Sequence, residues 1–522
     1  MVVDIGWNII LILFIEPISK NIGMYVPAYP LPIMEIASFV KFNRSESEIR
    51  IISLPVDYGL PLTHAGKEQI YKVLLKDLSE MRPKGVGISC TAISQAEEAI
   101  QLSELIKAYD PDIFVFMGGY FPTIYHNEIW KRTSAIDVIV LGEGEIPSLQ
   151  IIELLEKGKN PIDYEIPNLS WKTNDKINYT SKGMCFNLAA KAPIDLGLLR
   201  YPRAYDVLPY AFSRGCTYHC HFCMEHLIRP ARTEVPDEIV RRDLTHLSNH
   251  SNAHTLLISD ALFKAFNFFP LIRSLDMKVH FETRCDILDP GIIDEIADIC
   301  GGLALGFESA SYSTLRRMNK VRDKAHYETY ISNTIQLFNK ATKNGIPIMV
   351  FMIAGYPGDT EKDLQASLDF ARELSTHSGP GGHIFKIGEC RAYPKTKIYD
   401  LASSISDCIL PDEGCFGENI IAQPSKDLDF NTILAYMDEI FSLSNYTEKL
   451  QKTVLGMMPF FRIPARALTD ETIPDTCFVG KDREIFNVTA ESLETYRALF
   501  PDLASKYKKW MSDQRSRRHL IL

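Results

Sequence analysis

The sequence has little that would carry it across a membrane, attract a polyanion or staple it with disulfides. The apolar run near its start, Ile9 to Ile15, is far shorter than the roughly 20 residues that span a bilayer. It follows Asp4 rather than a basic region, so it reads as a buried strand and not as a signal. Positive charge is the minority, with 56 lysines and arginines against 66 aspartates and glutamates and a net charge of -10. Nucleic-acid phosphates are bound by basic surfaces that release counterions, so nucleic acid is not an expected partner. The 11 cysteines are odd in number and scattered over a long chain. No disulfide framework is expected from them, and the expected compartment is the reducing cytoplasm. Internal repeats and low-complexity tracts are missing as well.

What is present is an ordinary globular composition, 46% hydrophobic and 23% charged over 522 residues. At roughly 150 residues per domain such a chain holds about three domains. Over residues 1–160, strand candidates at Ile9 to Ile15, Ile49 to Leu54, Gly85 to Cys90, Ile113 to Met117 and Val138 to Leu141 alternate with amphipathic helical stretches. Strand, helix and strand in succession give a parallel sheet, a Rossmann-like α/β domain. Residues 161–207 lose the rhythm and read as a linker with some structure of its own. A second alternating array fills residues 208–400, with strands expected at Ala211 to Ser213, Thr255 to Ile258, Val279 to Thr283, Leu303 to Phe307, Ile348 to Ile353 and His383 to Ile387. Six units are too few for an eight-fold barrel and suit an open, partial (β/α)6 one. Residues 401–522 read as a mixed, mostly helical region covering the substrate, with a basic end from Lys506 to Arg518 that reads as a solvated face or tail.

The most informative residues are Cys216, Cys220 and Cys223, spaced C-x3-C-x2-C. Three thiolates on one tight loop hold three irons of a 4Fe-4S cluster and leave the fourth open to a ligand. The alternative is a structural zinc with His219 or His221 as fourth ligand, in a non-catalytic module. Spacing alone leaves both open.

At the end of the first strand of a six-unit array, this triplet resembles the radical S-adenosylmethionine (SAM) superfamily, in which SAM chelates the open iron. Four later strand ends match in order: Ser259-Asp260, Glu282-Thr283-Arg284, Gly306-Phe307-Glu308-Ser309 and Gly355-Tyr356-Pro357-Gly358. The resemblance implies SAM contacts from Phe222, Ser259, Asp260, Arg284, Glu308 and Gly355, at the carboxyl ends where α/β folds bind ligands. It also implies a flavodoxin-type or ferredoxin-type electron donor.

The domain ahead of it resembles the cobalamin-binding domain of the class B radical SAM methyltransferases. The stretches alike are Val26 to Pro32, Val86 to Cys90, Met117 to Thr123 and Leu141 to Glu145. That likeness implies cobalamin contacts from Pro30, Ser89, Gly118, Gly119, Tyr120, Gly142, Glu143 and Gly144, where glycine lets the backbone approach a large planar ligand. No D-x-H-x-x-G motif supplies an axial histidine, so cobalamin is expected base-off, with His64 as a helix-entry residue. The amino-terminal domain has only Cys90, too few cysteines for a second cluster there. The resemblance implies methyl transfer from methylcobalamin to an unactivated carbon of a small-molecule or natural-product substrate, through 5′-deoxyadenosyl radical chemistry. A non-methylating cyclisation, rearrangement or oxidation with the same cofactors is the nearer alternative.

Overall fold

The computed structural model describes residues 9–19, 28–44, 46–61, 64–408, 421, 423–445, 447–451 and 476–477. The basic end, Cys415 and the Val26-Pro27 pair lie outside these residues. The first eight strands are β1 (Leu11–Glu16), β2 (Glu48–Ser53), β3 (Leu60–Pro61), β4 (Gly85–Ser89), β5 (Phe114–Gly118), β6 (Val138–Val140), β7 (Leu169–Thr173) and β8 (Lys176–Tyr179). All but β3 form one sheet in the order β2-β1-β4-β5-β6-β7-β8. Its first five members are parallel.

Side chains alternate across this sheet with the period of two that extended backbone imposes. From β1, Ile12 and Phe14, with Ile10 just ahead of the strand, join the core shared with helices Leu31–Asn43 and Glu145–Glu156. Leu11, Leu13 and Ile15 join the core under helices His64–Met81, Ala96–Tyr109 and Tyr120–Arg132. His64 opens its helix, as expected. Among the parallel strands the chain runs outward in one direction from β1 to β2 and in the other from β4 to β6, so a crevice opens at the carboxyl ends of β1 and β4.

The stretch 161–207 is more built than a linker. β7 and β8 form an antiparallel hairpin that extends the first sheet, and two short 3-10 turns, Leu188–Ala190 and Leu196–Leu198, lead into the second layer. The hairpin turns at Asn174 and Asp175, both in the left-handed region that these residue types tolerate.

The second sheet holds β9 (Val207–Tyr210), β12 (Thr255–Ile258), β13 (Lys278–Arg284), β14 (Cys300–Glu308), β15 (Ile348–Ala354) and β16 (His383–Glu389), all parallel and in chain order. This is the open, partial barrel. Between β9 and β12, a two-strand ribbon pairs β10 (Ser213–Arg214) with β11 (Thr233–Glu234). The first barrel strand is Val207–Tyr210 and not Ala211 to Ser213 as the sequence suggested. Pro209 argues against a strand by propensity, but β9 is an edge strand and can spare one ladder donor. The other edge, β16, is covered: His383 and Asn445 exchange backbone hydrogen bonds of 3.0 and 2.9 Å. Helix Phe430–Ser442 packs beside it through Ile433. The last strand, β17 (Thr476–Cys477), pairs with β3. No helix among the described residues is long and apolar enough to cross a membrane.

Candidate active site

The carboxyl ends of both sheets face one cleft of about 230 Å³. From the first sheet Ser89, Gly118, Gly119, Tyr120, Gly142, Glu143 and Gly144 line it. The opposite wall includes Ser213, Arg214, Glu225 and Ser259. Of the residues expected on the first wall, only Pro30 is missing. It is buried as the N-cap of helix Leu31–Asn43, and its neighbours Leu31 and Pro32 reach the cleft instead.

The glycines differ in what they do. Gly119 has φ +119, and a Cβ there would lie 2.4 Å from the Cys90 carbonyl oxygen, so no other residue fits this turn. Gly142 also takes a positive φ, +83, but a Cβ would meet nothing within 4 Å. At Gly144 a Cβ would strike Ile36 at 2.7 Å, so this glycine serves helix packing.

Glu143 does not present a free carboxylate to the cleft. It accepts from Arg214 Nη1 at 2.8 Å, from Arg229 and from the Phe186 backbone N–H at 2.7 Å. Arg214 also pairs with Glu35 at 2.8 Å and Glu145 at 2.6 Å. Lys191 adds a contact of 3.0 Å to Glu35. Burial alone would raise the Glu35 carboxyl, but Lys191 and Arg214 outweigh it and hold Glu35 below its ordinary value. Carboxylates of the first sheet's helices thereby grip an arginine two residues ahead of Cys216. Tyr120 crosses the cleft separately, donating to Glu225 at 2.6 Å.

Behind this wall lies the cysteine loop. The β10–β11 ribbon clamps its two ends, and Gly215 has φ +83, with the Ala231 carbonyl oxygen 2.4 Å from where a Cβ would stand. Each sulfur accepts one hydrogen bond: Cys216 from the Tyr218 N–H at 3.5 Å, Cys220 from Arg284 Nη1 at 3.2 Å and Cys223 from the Glu225 N–H at 3.5 Å. Burial pushes the Cys216 thiol up and the Cys223 thiol up to about 11, as expected for thiols whose thiolate form is stabilised only by bound metal. Among the described residues no three His, Cys, Asp or Glu side chains converge as ligands of one metal ion. That geometry does not make a zinc site with His219 or His221, and His221 Nδ1 instead contacts the Arg317 carbonyl at 2.8 Å. A cluster takes one thiolate per iron, and three cysteines on one ribbon-clamped loop, each sulfur accepting a hydrogen bond, are the donor set it uses.

The strand-end residues sort into two groups. Asp260 is buried and accepts from the Phe212 N–H at 2.7 Å and from Ser213 Oγ at 2.5 Å, with burial raising its carboxyl to about 7. Arg284 holds Asp286 at 2.9 Å and touches Cys220. These two brace the cysteine loop. Ser259 is exposed to the cleft. Glu308, in the left-handed region at φ +71, pairs with Lys320 at 2.7 Å, and the Lys320 ammonium is 6.0 Å from the Phe222 ring centre. Gly355 has φ +77 and makes room for Ile433, which a Cβ would meet at 2.7 Å. Sequence reasoning assigned no role to Arg214, Arg229, Glu225, Tyr218 or Lys320. Arg214 and Tyr218 carried a signal by standing beside the cysteines, and Lys320 by ending the stretch Leu315 to Lys320, which resembles the family's L-x-x-M-N-K pattern.

Comparison with known proteins agrees with this arrangement. Residues 48–152 match the family model of the B12 binding domain, and residues 210–371 match that of the radical SAM superfamily. An uncharacterized methyltransferase of Pyrococcus horikoshii is 24% identical over 74% of this chain and 80% of its own length. The anaerobic magnesium-protoporphyrin IX monomethyl ester cyclase of Rubrivivax gelatinosus is 25% identical over 57% of this chain and 55% of its own. The structure of the radical S-adenosylmethionine methyltransferase TsrM of Kitasatospora setae, with cobalamin and a [4Fe-4S] cluster bound, has the same fold. Its TM-score is 0.60 at 16% identity, covering 76% of this chain and 75% of that one. The chain belongs to the radical SAM superfamily, among the members that carry a B12-binding domain ahead of the radical SAM domain.

Proposed function

We propose that the protein is a cobalamin-dependent radical SAM methyltransferase acting on an unactivated carbon of a small-molecule or natural-product substrate. The observation that supports the reading is the cleft shared by the carboxyl ends of both sheets, whose far wall holds Arg214 and Glu225, the residues that flank the cysteine loop on either side. Bound there, the cluster and SAM supply a 5′-deoxyadenosyl radical and cobalamin supplies the methyl group.

In this reading Cys216, Cys220 and Cys223 hold the cluster. Phe222, Ser259, Glu308 and Gly355 contact SAM, while Asp260 and Arg284 fix the loop. Ser89, Gly118, Gly119, Tyr120, Gly142, Glu143 and Gly144 face cobalamin. The chain divides into a cobalamin-binding domain over residues 1–160, a connector over 161–207, the radical SAM domain over 208–400 and a substrate-covering region over 401–522. It works in the cytoplasm with a flavodoxin-type or ferredoxin-type reductant and without nucleic acid. The cyclase relative supports a second reading, a ring closure with the same cofactors.

The test is anaerobic reconstitution with iron, sulfide and hydroxocobalamin, then reduction with SAM whose methyl group is deuterated. About four irons and one cobalt per chain, with 5′-deoxyadenosine released and deuterium in a product, support methyl transfer. Cleavage with an unlabelled, cyclised product supports the second reading. Zinc without iron, or cleavage retained in Cys220→Ala, defeats both.

A further inference from the structure

The chain is acidic as a whole, yet one stretch of its surface is basic. Residues 316–324 hold five basic side chains, Arg316, Arg317, Lys320, Arg322 and Lys324, against the single acid Asp323. Two of the five are spent on internal partners, Arg317 on Asp359 and Lys320 on Glu308. Arg316, Arg322 and Lys324 are exposed, and no ion pair engages them among the described residues. Arg316 donates to the Val321 carbonyl at 3.1 Å and to the Arg322 carbonyl, which leaves its charge uncompensated. Asp323 is engaged as the cap of helix Lys324–Lys343, where it accepts the His326 N–H at 2.8 Å.

This basic turn is stitched to the cysteine loop. Asn319 donates to the His219 carbonyl at 2.9 Å, the His221 N–H donates to the Met318 carbonyl at 3.0 Å, and His221 Nδ1 contacts the Arg317 carbonyl at 2.8 Å. From another side the Ile398 N–H donates to the His221 carbonyl at 2.9 Å, so helix Lys397–Ser404 begins against the same loop. Lys397 is 70% exposed there, and its ion pair to Asp400 is a loose 3.9 Å. His226 lies beside the exposed His219, with ring centres 6.0 Å apart. Burial lowers its pKa, and the nearby His219, His221 and Lys397 lower it further. Positive charge thus converges on the loop from three segments, and none of these residues lines the cleft.

The way inward is short. The Lys320 carbonyl accepts from Arg284 Nη2 at 2.9 Å, and Arg284 Nη1 donates to the Cys220 sulfur at 3.2 Å. Two hydrogen bonds therefore join the basic turn to a cysteine sulfur. Electron transfer between proteins falls off steeply with distance, so a protein donor has to seat on a face that lies close to these sulfurs.

We propose that this face, formed by Arg316, Arg322, Lys324 and Lys397 around His219, is the docking surface of an acidic one-electron carrier protein. The carrier's negative surface seats on the patch, and one electron leaves its reduced centre and enters the cluster; no bond forms or breaks. Complementary charge steers the encounter and suits the small, brief contacts of redox partners. Nucleic acid fits less well, because the patch is compact and a phosphate chain running past it would meet a surface on which acids outnumber bases. The proposal rests on the radical SAM reading for the electron's destination, but not for the docking.

Docking is therefore measured apart from turnover. The full chain, reconstituted anaerobically, is titrated with a flavodoxin and with an acidic ferredoxin by biolayer interferometry. At least one is expected to bind, its affinity falling about tenfold or more between about 0.05 and 0.5 M salt. Arg316→Glu, Arg322→Glu and Lys324→Glu combined should weaken binding about tenfold or more, and Lys397→Glu alone about threefold. The single variant keeps the test open should the triple one fail to fold. Lys72→Glu, Lys76→Glu and Lys84→Glu combined make the same charge change on exposed residues of the first domain and should leave binding as it was. SAM cleavage driven by the carrier should fall with the affinity, while cleavage driven by dithionite, which needs no docking, should not. Binding by neither carrier, binding indifferent to salt, equal loss in the control variant, or a preference for duplex RNA overturns the proposal. Docking on this face without any dithionite-driven cleavage would sink the enzyme assignment and leave the docking surface standing; dithionite-driven cleavage with a carrier indifferent to the face would do the reverse.

Discussion

Arg284 donates to the sulfur of Cys220 across 3.2 Å, and its guanidinium carbon lies 3.9 Å from the centre of the Tyr218 ring. One side chain thus contacts a cysteine and an aromatic of the same loop. A positive group and an N–H bond at the sulfur favour the reduced, more negative state of a cluster. Arg284→Met should lower the reduction potential of the reconstituted cluster by about 60 mV, the one-electron equivalent of roughly 1.4 kcal/mol. A redox titration followed by electron paramagnetic resonance measures it, and an unchanged midpoint would contradict this role.

Two adjacent glycines should separate cleanly. Gly119→Ala forces a Cβ onto the Cys90 carbonyl at a positive φ and should destabilise the first domain by about 3 kcal/mol. Gly118→Ala meets only Val140, at 3.6 Å, and should leave the thermal midpoint within about a degree while weakening hydroxocobalamin retention. Thermal scans and cobalt counts on both variants check the pair.

Arg214 stands between three carboxylates, Glu35, Glu143 and Glu145. Arg214→Gln should cost about 3–5 kcal/mol, because it leaves buried carboxylates short of a counter-charge. Without the arginine the Glu35 carboxyl loses part of what holds it below its ordinary value, so its folded-state pKa rises and the folded chain gains protons as pH falls. The loss should be smaller at pH 5.5 than at pH 8. Unfolding midpoints of the wild type and variant at the two pH values test this, and a pH-independent difference would argue that the network carries little energy.

His280 is buried, and burial lowers its pKa to about 4. The unfolded chain, with an ordinary value near 6.5, then binds more protons than the folded one between those limits. His280 accordingly contributes stability above pH 6.5 that is lost as pH falls toward 4, up to about 3 kcal/mol. In His280→Gln the acid limb of stability against pH should flatten relative to wild type. Buried carboxyls such as Asp260 tilt the curve the other way in both proteins, so the difference between the two curves isolates the histidine.

Much of the site was legible because it depends on local chemistry. The C-x3-C-x2-C loop, the strand-end turns and Gly119 each carry their reason within a few residues. What was not legible depends on packing between distant segments. Glu143 reads as a cofactor contact in a glycine-rich turn, yet Arg214 and Arg229 claim its carboxylate from 71 and 86 residues away. Gly144 and Gly355 look like ligand turns, and that each also makes room for an isoleucine, Ile36 or Ile433, is seen only in the packing. The hairpin Leu169–Tyr179 lacks a helix to announce a strand–helix unit and so passes for a connector. Within the recognised strand end Glu282-Thr283-Arg284, only the structure shows that Arg284 turns to the sulfur of Cys220.

Leu450 closes the floor of the barrel with Ala304, Met349 and Ile384. That contact ties the base of three neighbouring strands to a segment well beyond the last of them, so the open barrel is finished only when the later chain has docked beneath it. Leu450→Ala should accordingly loosen β14, β15 and β16 together and lower the thermal midpoint by the equivalent of about 2–5 kcal/mol, the cost of a large-to-small core substitution.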